Sequence, residues 1–152
     1  MPTVQNILES KKAVNNTIDA AATVFEALTQ LKNVDLSYLV VKEGDAFSGI
    51  FSERDYSRKV ILEGRNSKAA TVKEVMSTDL PKVRVTDTLE HCMHALLQNK
   101  TRYLLAFDAH DAFAGVITIH DLLRQIIADK ETSFNQATVK QLLDHDESSL
   151  IY

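Results

Sequence analysis

This chain has very little cysteine and no excess of positive charge, and both features narrow its function. Its 152 residues include one cysteine, Cys92, so no disulfide can form within the chain and a reducing compartment is expected. There are 17 lysines and arginines against 21 aspartates and glutamates, which gives a net charge of −4. Because an acidic surface repels a phosphate backbone, we predict that the protein has no nucleic-acid partner.

Long apolar runs and secretion signals are also missing. No run is long enough to span a bilayer, and the N-terminus has no basic stretch followed by an apolar one. We therefore predict a cytoplasmic protein without a membrane partner, and a processed organellar protein is the alternative. Hydrophobic residues make up 45% of the chain, which is enough to build a core and disfavours disorder.

Sequence motifs of catalysis and metal binding are absent as well. The sequence has no Gly-rich P-loop, no nucleophile elbow and no Rossmann fingerprint. His91 and His94 are close enough on a helix to share a metal ion, but a closed zinc site needs more ligands. Cys92 lies in an apolar helical pattern, which favours a core position. We predict no catalytic residue, no metal site and no enzyme activity.

What the sequence does contain is an internal repeat. Gly49–Asp55 reads as glycine, two apolar residues, a hydroxyl, two variable residues and aspartate, and Gly115–Asp121 reads the same way. The offset is 115 − 49 = 66 for the glycines and 121 − 55 = 66 for the aspartates. Each motif follows a predicted helix (Ala22–Leu31, Thr88–Leu97) and a short apolar strand (Tyr38–Val41, Tyr103–Phe107). The order helix, strand, hairpin, strand, helix therefore occurs twice.

A shorter element occurs three times, as Thr3–Leu8, Thr71–Met76 and Thr138–Leu143. In each copy the threonine can act as the N-cap of a short helix with one apolar face. These helices suit packing against the repeats, and partner binding is the alternative. We predict one domain over residues 1–70 and a second over 71–152, each a repeat with a short terminal helix.

The two repeats resemble a tandem pair of CBS domains, the module named after cystathionine β-synthase. The stretch Gly49–Lys68 and the Val75-Met76 pair also resemble small stand-alone CBS-pair proteins. The resemblance implies an α+β fold of two βαββα repeats packed sheet to sheet around a pseudo-twofold axis. It also implies a homodimer, an unfused protein partner, and AMP, ADP or ATP as ligand, with NADH or S-adenosylmethionine as alternatives.

The same resemblance implies which residues bind the nucleotide. A carboxylate can accept bonds from the vicinal hydroxyls of a ribose, and a serine or threonine hydroxyl can donate to a phosphate. The positions that match the family motif are Ser52, Asp55, Thr118 and Asp121. Further predicted contacts are Thr17 to the ribose in the Thr118–Asp121 pocket, and Arg102, Arg54 and His120 to phosphate.

Each of these assignments has a structural alternative. A Ser-x-x-Asp sequence at a helix start is also an ordinary N-cap with a dipole-favoured carboxylate. Arg102 can equally be a surface cation, and a solvated helix face can account for Arg54, Arg58 and Lys59.

The two predicted pockets are not expected to be equal. The loop Val85–Thr88 is shorter than is usual in the family, and this loop normally helps to form the Ser52–Asp55 pocket. We therefore expect the Thr118–Asp121 pocket to be the better site. The leading hypothesis is a nucleotide-sensing module. The alternatives are a ligand-free interaction scaffold and, third, a small nucleotide hydrolase.

Overall fold

The computed structural model describes residues 2–12, 15–34, 36–128, 137–138 and 140–142. The chain divides into a first unit, residues 13–79, and a second unit, residues 1–12 together with 80–152. Helix α1, Val4–Ser10, opens the chain and belongs to the second unit. The domain boundary predicted at residue 70 follows the sequence repeat and stays a prediction. The compact units are a different division of the chain, with boundaries after residues 12 and 79.

The first unit contains a three-stranded sheet in the order β1-β2-β3 within its described residues. Its elements are β1 (Thr17–Asp19), α2 (Val24–Val34), β2 (Tyr38–Glu43), β3 (Ala46–Ser52), α3 (Glu53–Tyr56), which continues as a π-helical turn (Ser57–Ile61), and α4 (Val72–Val75). Strand β1 runs parallel to β2, and β2 pairs antiparallel with β3.

The described part of the second unit repeats this architecture, with strand order β4-β5-β6. Its further elements are β4 (Lys82–Arg84), α5 (Leu89–Asn99), β5 (Tyr103–Phe107), β6 (Phe113–Thr118) and α6 (Ile119–Ala128). The pairing is again parallel for β4 with β5 and antiparallel for β5 with β6. The predicted α+β fold of two βαββα repeats is confirmed.

The strand register sets the position of the motif hydroxyls. Ser52, the last residue of β3, pairs with Tyr38, the first residue of β2. Thr118 pairs with Tyr103 at the corresponding ends of β6 and β5. Each hydroxyl therefore lies at the end of its strand, directly before the first residue of the next helix.

Threonine caps start the short helices, as predicted. Thr3 and Asn6 form a reciprocal capping box at α1, and Thr71 and Glu74 form one at α4. Each box satisfies two backbone N–H groups that have no partner within the helix. The third predicted copy, Thr138–Leu143, includes positions outside the described residues.

Each unit has its own hydrophobic core between its sheet and its longer helix. In the first unit α2 packs on the inner face of β2 and β3; the contributing residues include Val24, Ala27, Leu31, Leu39, Val41 and Phe51. In the second unit α5 does the same; its residues include Leu89, Met93, Leu96, Leu104, Ala106 and Ile117. Because this apolar area leaves water on folding, it is the main stabilising contribution in each unit.

Cys92 lies in the core of the second unit and is fully buried. Burial, together with the negative charge of Asp87, raises the pKa of its thiol to about 12. The thiol stays protonated at neutral pH, and a protonated thiol is neither a nucleophile nor a metal ligand. The core interpretation of Cys92 is confirmed.

The motif glycines allow the segments that contain α1 and α4 to pack closely on strands β6 and β3. A Cβ atom on Gly49 would lie 2.9 Å from the Ser77 carbonyl oxygen and 3.0 Å from the Met76 sulfur. On Gly115 it would lie 2.7 Å from the Leu8 Cδ2 atom. Leu8 and Met76 stand at the same place in their copies, since 8 − 3 = 5 and 76 − 71 = 5. The short element therefore packs closely on the last strand of each repeat, and at Gly49, where the neighbour is a backbone oxygen, this packing requires glycine.

Candidate functional site

A hydroxyl and a carboxylate exchange hydrogen bonds at each strand-to-helix turn. Ser52 Oγ accepts from the Asp55 N–H at 3.3 Å, and Asp55 Oδ2 accepts from the Ser52 N–H at 2.9 Å. Thr118 and Asp121 make the same exchange at 3.1 and 2.9 Å. We call Ser52 with Asp55 the first-unit site, and Thr118 with Asp121 the second-unit site. Both pairs act as helix caps, so the capping interpretation is correct, while nucleotide binding at these residues stays a prediction.

Both carboxylates are buried, and a buried charge needs partners. Asp55 is 4% exposed and Asp121 is 5% exposed. Removing an ionised carboxylate from water is costly unless hydrogen bonds and an opposite charge replace the lost hydration. The two sites meet this requirement in different ways.

In the first-unit site the carboxylate oxygens of Asp55 are fully occupied. Ser52 donates to Oδ2 through its N–H at 2.9 Å and its hydroxyl at 3.1 Å. The hydroxyl of Ser77 donates to Oδ1 at 2.7 Å, and Lys59 Nζ lies 2.9 Å from the same oxygen. A carboxylate offers about four lone-pair positions, so these contacts leave no acceptor capacity for another donor.

Three segments build this first-unit site. Lys59 lies in the π-helical turn that continues α3, four residues after Asp55, and it also donates to the Val75 carbonyl at 3.1 Å. Ser77, just beyond α4, forms a backbone bridge with Ile50 of β3 through hydrogen bonds of 2.9 and 2.8 Å. The backbone pairing of Ser77 with Ile50 therefore fixes the position of the hydroxyl that donates to Asp55.

In the second-unit site the cation that pairs with Asp121 is Lys11, which lies near the N-terminus, 110 residues away in the chain. Lys11, just after α1, lies 2.9 Å from Asp121 Oδ2, the oxygen that also accepts from the Thr118 N–H. The same ammonium donates to the carbonyl of Val116 at 2.8 Å. The Arg124 guanidinium is 3.5 Å from Oδ1. Within the described residues, Oδ1 of Asp121 therefore has a single and longer contact.

The other predicted residues have the following positions. Thr17 is exposed on β1 of the first unit, where its carbonyl accepts from Gln30. Arg54 is half-buried on α3, and Arg102 is half-buried just before β5. His120 is exposed on α6. Thr17 belongs to the first unit, so its predicted contribution to the second-unit site stays a prediction.

Sequence reasoning missed three site residues: Lys11, Lys59 and Ser77. The solvated-face interpretation is wrong for Lys59, because its ammonium pairs with a buried carboxylate. The four-residue spacing from Asp55 to Lys59 is a local signal that could have indicated the pair. Lys11 is 110 residues from Asp121 in the chain, and no local pattern connects the two.

Comparisons with known proteins agree with the repeat. The sequence profile of the CBS domain family matches residues 7–61 and 72–128. A solved protein with CBS domains from Burkholderia ambifaria MC40-6 is 30% identical, has a TM-score of 0.76, and the match covers 88% of this chain and 100% of that one. The solved structure of CBSX2 in complex with AMP is 22% identical, with a TM-score of 0.64, and covers 83% and 96% of the two chains. This second likeness is one of fold.

The match to a curated relative includes a smaller share of that protein. The CBS domain-containing protein CBSX3, mitochondrial, of Arabidopsis thaliana is 30% identical over 110 residues. The match includes 69% of this chain and 53% of that protein. This chain therefore spans about half the length of that relative.

Proposed function

This chain belongs to the CBS domain family, and on that premise we propose that it is a non-enzymatic regulatory module that binds an adenine nucleotide. Two observations support the proposal. The repeat motif places a hydroxyl and a carboxylate together at the start of a helix in each unit. A protein of the same fold, CBSX2, has been solved with AMP. AMP, ADP and ATP are the ligands we favour, with NADH and S-adenosylmethionine as alternatives.

The free acceptor capacity of Asp121 favours the second-unit site as the place where the nucleotide binds. Its Oδ1 is 3.5 Å from Arg124, whereas Oδ1 of Asp55 accepts from Ser77 and pairs with Lys59. A ribose hydroxyl needs an acceptor with a lone pair to spare. Asp121 offers one and Asp55 does not, so we propose Asp121 as the principal ribose contact.

The other predicted residues have the following proposed roles. The hydroxyl of Thr118 accepts from the Asp121 N–H, which leaves its proton for a phosphate oxygen. Arg102 and His120 supply positive charge or hydrogen-bond donors to phosphate, and Thr17 contacts the ribose. Ser52, Asp55 and Arg54 form a second pocket of lower affinity, because Asp55 must first lose a partner.

We also propose that the protein acts as a homodimer on an unfused partner. Each unit has exposed apolar side chains that could contact a partner: Ile61 and Leu62 at the end of the π-helical turn in the first unit, and Ile127 near the end of α6 in the second. Within the described residues, no helix is both long enough and apolar enough to cross a membrane. A cytoplasmic location stays a prediction.

Calorimetric titration of the purified protein with AMP, ADP, ATP, NADH and S-adenosylmethionine tests this function. We expect at least one adenine nucleotide to bind with a Kd below about 1 mM. Asp121→Ala should remove the tighter binding step, leaving at most the weaker first-unit pocket, while the variant remains folded by circular dichroism. The proposal is wrong if none of the five ligands binds, or if Asp121→Ala changes only the thermal stability.

A ligand-free interaction scaffold is the second candidate. The observation in its favour is that both aspartates already have structural partners, as caps and as members of ion pairs. A scaffold predicts that partner capture survives in Asp55→Ala and Asp121→Ala. A nucleotide-dependent module predicts that Asp121→Ala removes the response of partner capture to added nucleotide.

A further inference from the structure

Lys11, the cation beside the proposed ribose contact Asp121, lies outside the Gly115–Asp121 motif. Lys11 follows α1, while Asp121 and Val116 belong to the second repeat. The Lys11 side chain is 23% exposed and the Asp121 side chain is 4% exposed. The lysine is therefore the more accessible member of the pair.

The acceptor positions of Asp121 show which bond a ligand must replace. Oδ2 accepts from the Thr118 N–H at 2.9 Å and from Lys11 at 2.9 Å. These contacts occupy both lone-pair positions of that oxygen. A ribose that presents two vicinal hydroxyls to the carboxylate uses both oxygens, so one of the two donors must leave Oδ2.

Of the two donors, the lysine is the one that can move. The Thr118 N–H is part of the backbone at the end of β6, where Thr118 pairs with Tyr103. Lys11 is held by its flexible side chain through the Asp121 and Val116 contacts. Rotating a partly exposed lysine costs far less than disrupting a capped strand end.

From this geometry we infer that Lys11 is an internal competitor for the nucleotide ribose at Asp121, and that ligand binding releases the C-terminal end of α1. The inference rests on the proposed function. It adds an output, because a ligand that displaces Lys11 also breaks its bond to the Val116 carbonyl and so loosens α1 from β6. In the first unit the cation comes from the helical segment of Asp55 itself, and its further contact is to the Val75 carbonyl of α4.

Replacing the lysine without changing its bulk tests the competition. Lys11→Met keeps an unbranched chain and removes the ammonium, and it should raise AMP affinity roughly three- to tenfold, the equivalent of one weak charge-assisted hydrogen bond. Lys11→Arg should retain affinity close to that of the wild type. Lys12→Met is the matched control, because Lys12 is the exposed neighbour of Lys11 and its loss changes net charge equally.

The outcomes distinguish the competition from other roles of Lys11. Weaker binding in Lys11→Met would mean that the lysine contacts the nucleotide, and equal affinity in Lys11→Met and Lys12→Met would mean that only long-range charge matters. Either result overturns the inference and leaves the proposed function standing. If AMP and the other adenine nucleotides bind to neither the wild type nor Lys11→Met, the proposed function fails and the inference fails with it.

Hydrogen exchange gives a second readout that affinity alone does not provide. In the wild type, AMP should speed amide exchange over the last turn of α1, including Lys11, whose N–H bonds the Leu8 carbonyl. In Lys11→Met this region should exchange at the same rate with and without AMP. Slower exchange in the wild type on adding AMP would contradict the release of α1.

Discussion

The two strand-to-helix sites share one motif but neutralise their buried carboxylates differently. Asp55 pairs with Lys59 on its own helical segment, whereas Asp121 pairs with Lys11 from the opposite end of the chain. Asp55 has all its acceptor positions occupied, and Asp121 retains capacity on Oδ1. Duplication of a structural motif therefore does not duplicate its chemistry, because partners from outside the motif decide what each carboxylate can still bind.

The largest expected difference between the sites is in stability. Asp55→Ala removes four contacts, and we expect it to lower the free energy of unfolding by about 2–3 kcal/mol. Asp121→Ala removes fewer and should cost about 1–2 kcal/mol. Urea denaturation of both variants measures this order. An equal or larger cost for Asp121→Ala would show that the two carboxylates are equally committed to the fold.

A smaller effect is expected where the first unit packs α4 against its sheet. Gly49→Ala places a Cβ 2.9 Å from the carbonyl of Ser77, a backbone atom that is fixed by its pairing with Ile50. We expect a loss of about 1–2 kcal/mol in the free energy of unfolding. Ser48→Ala on the same strand is the control, and it should lie within about 0.5 kcal/mol of the wild type. A wild-type stability for Gly49→Ala would remove the packing role assigned to this glycine.

The smallest expected difference concerns the caps of the two short helices. At α4 the Thr71 N–H and hydroxyl donate to Glu74 and lower the pKa of its carboxyl below the ordinary 4.5. A lowered folded-state pKa means that this contribution is present at neutral pH and is lost as pH falls through the folded value. At α1 the corresponding residue is Asn6, which does not titrate.

Melting temperatures at neutral and acid pH test this contrast. Glu74→Gln should lower the melting temperature at pH near neutrality, and the difference from wild type should shrink once Glu74 is protonated in both states. Asn6→Ala should lower the melting temperature by a similar amount at both pH values. A pH-independent effect for Glu74→Gln would contradict an ionised cap.

Much of the fold could be predicted from the sequence because the repeat is local and periodic. The apolar run Tyr103–Phe107 predicts a strand whose bounds the structure confirms as β5, and the helix start predicted at Thr88 matches the N-cap of α5. The short strands β1 and β4 have only three residues each, too few for an alternating pattern. They form through parallel pairing with a distant strand, which the resemblance to CBS repeats implied and periodicity did not.

The site was only partly predictable, and the limit is again distance along the chain. The cap pairs lie three residues apart, so the motif itself indicated them. Lys11 and Ser77 reach the carboxylates through packing of the segments after α1 and α4. That packing depends on the three-dimensional contact between these segments and the motif glycines, which a linear pattern does not contain.

We propose that the two carboxylates differ in function and that Asp121 is the one that binds a nucleotide. AMP titration of Asp55→Asn and Asp121→Asn tests it most directly, since both changes remove the charge and keep the shape. We predict that Asp121→Asn loses the tighter AMP binding step and that Asp55→Asn keeps an affinity close to that of the wild type. Loss of binding in Asp55→Asn alone, or no AMP binding in the wild type, would contradict the account.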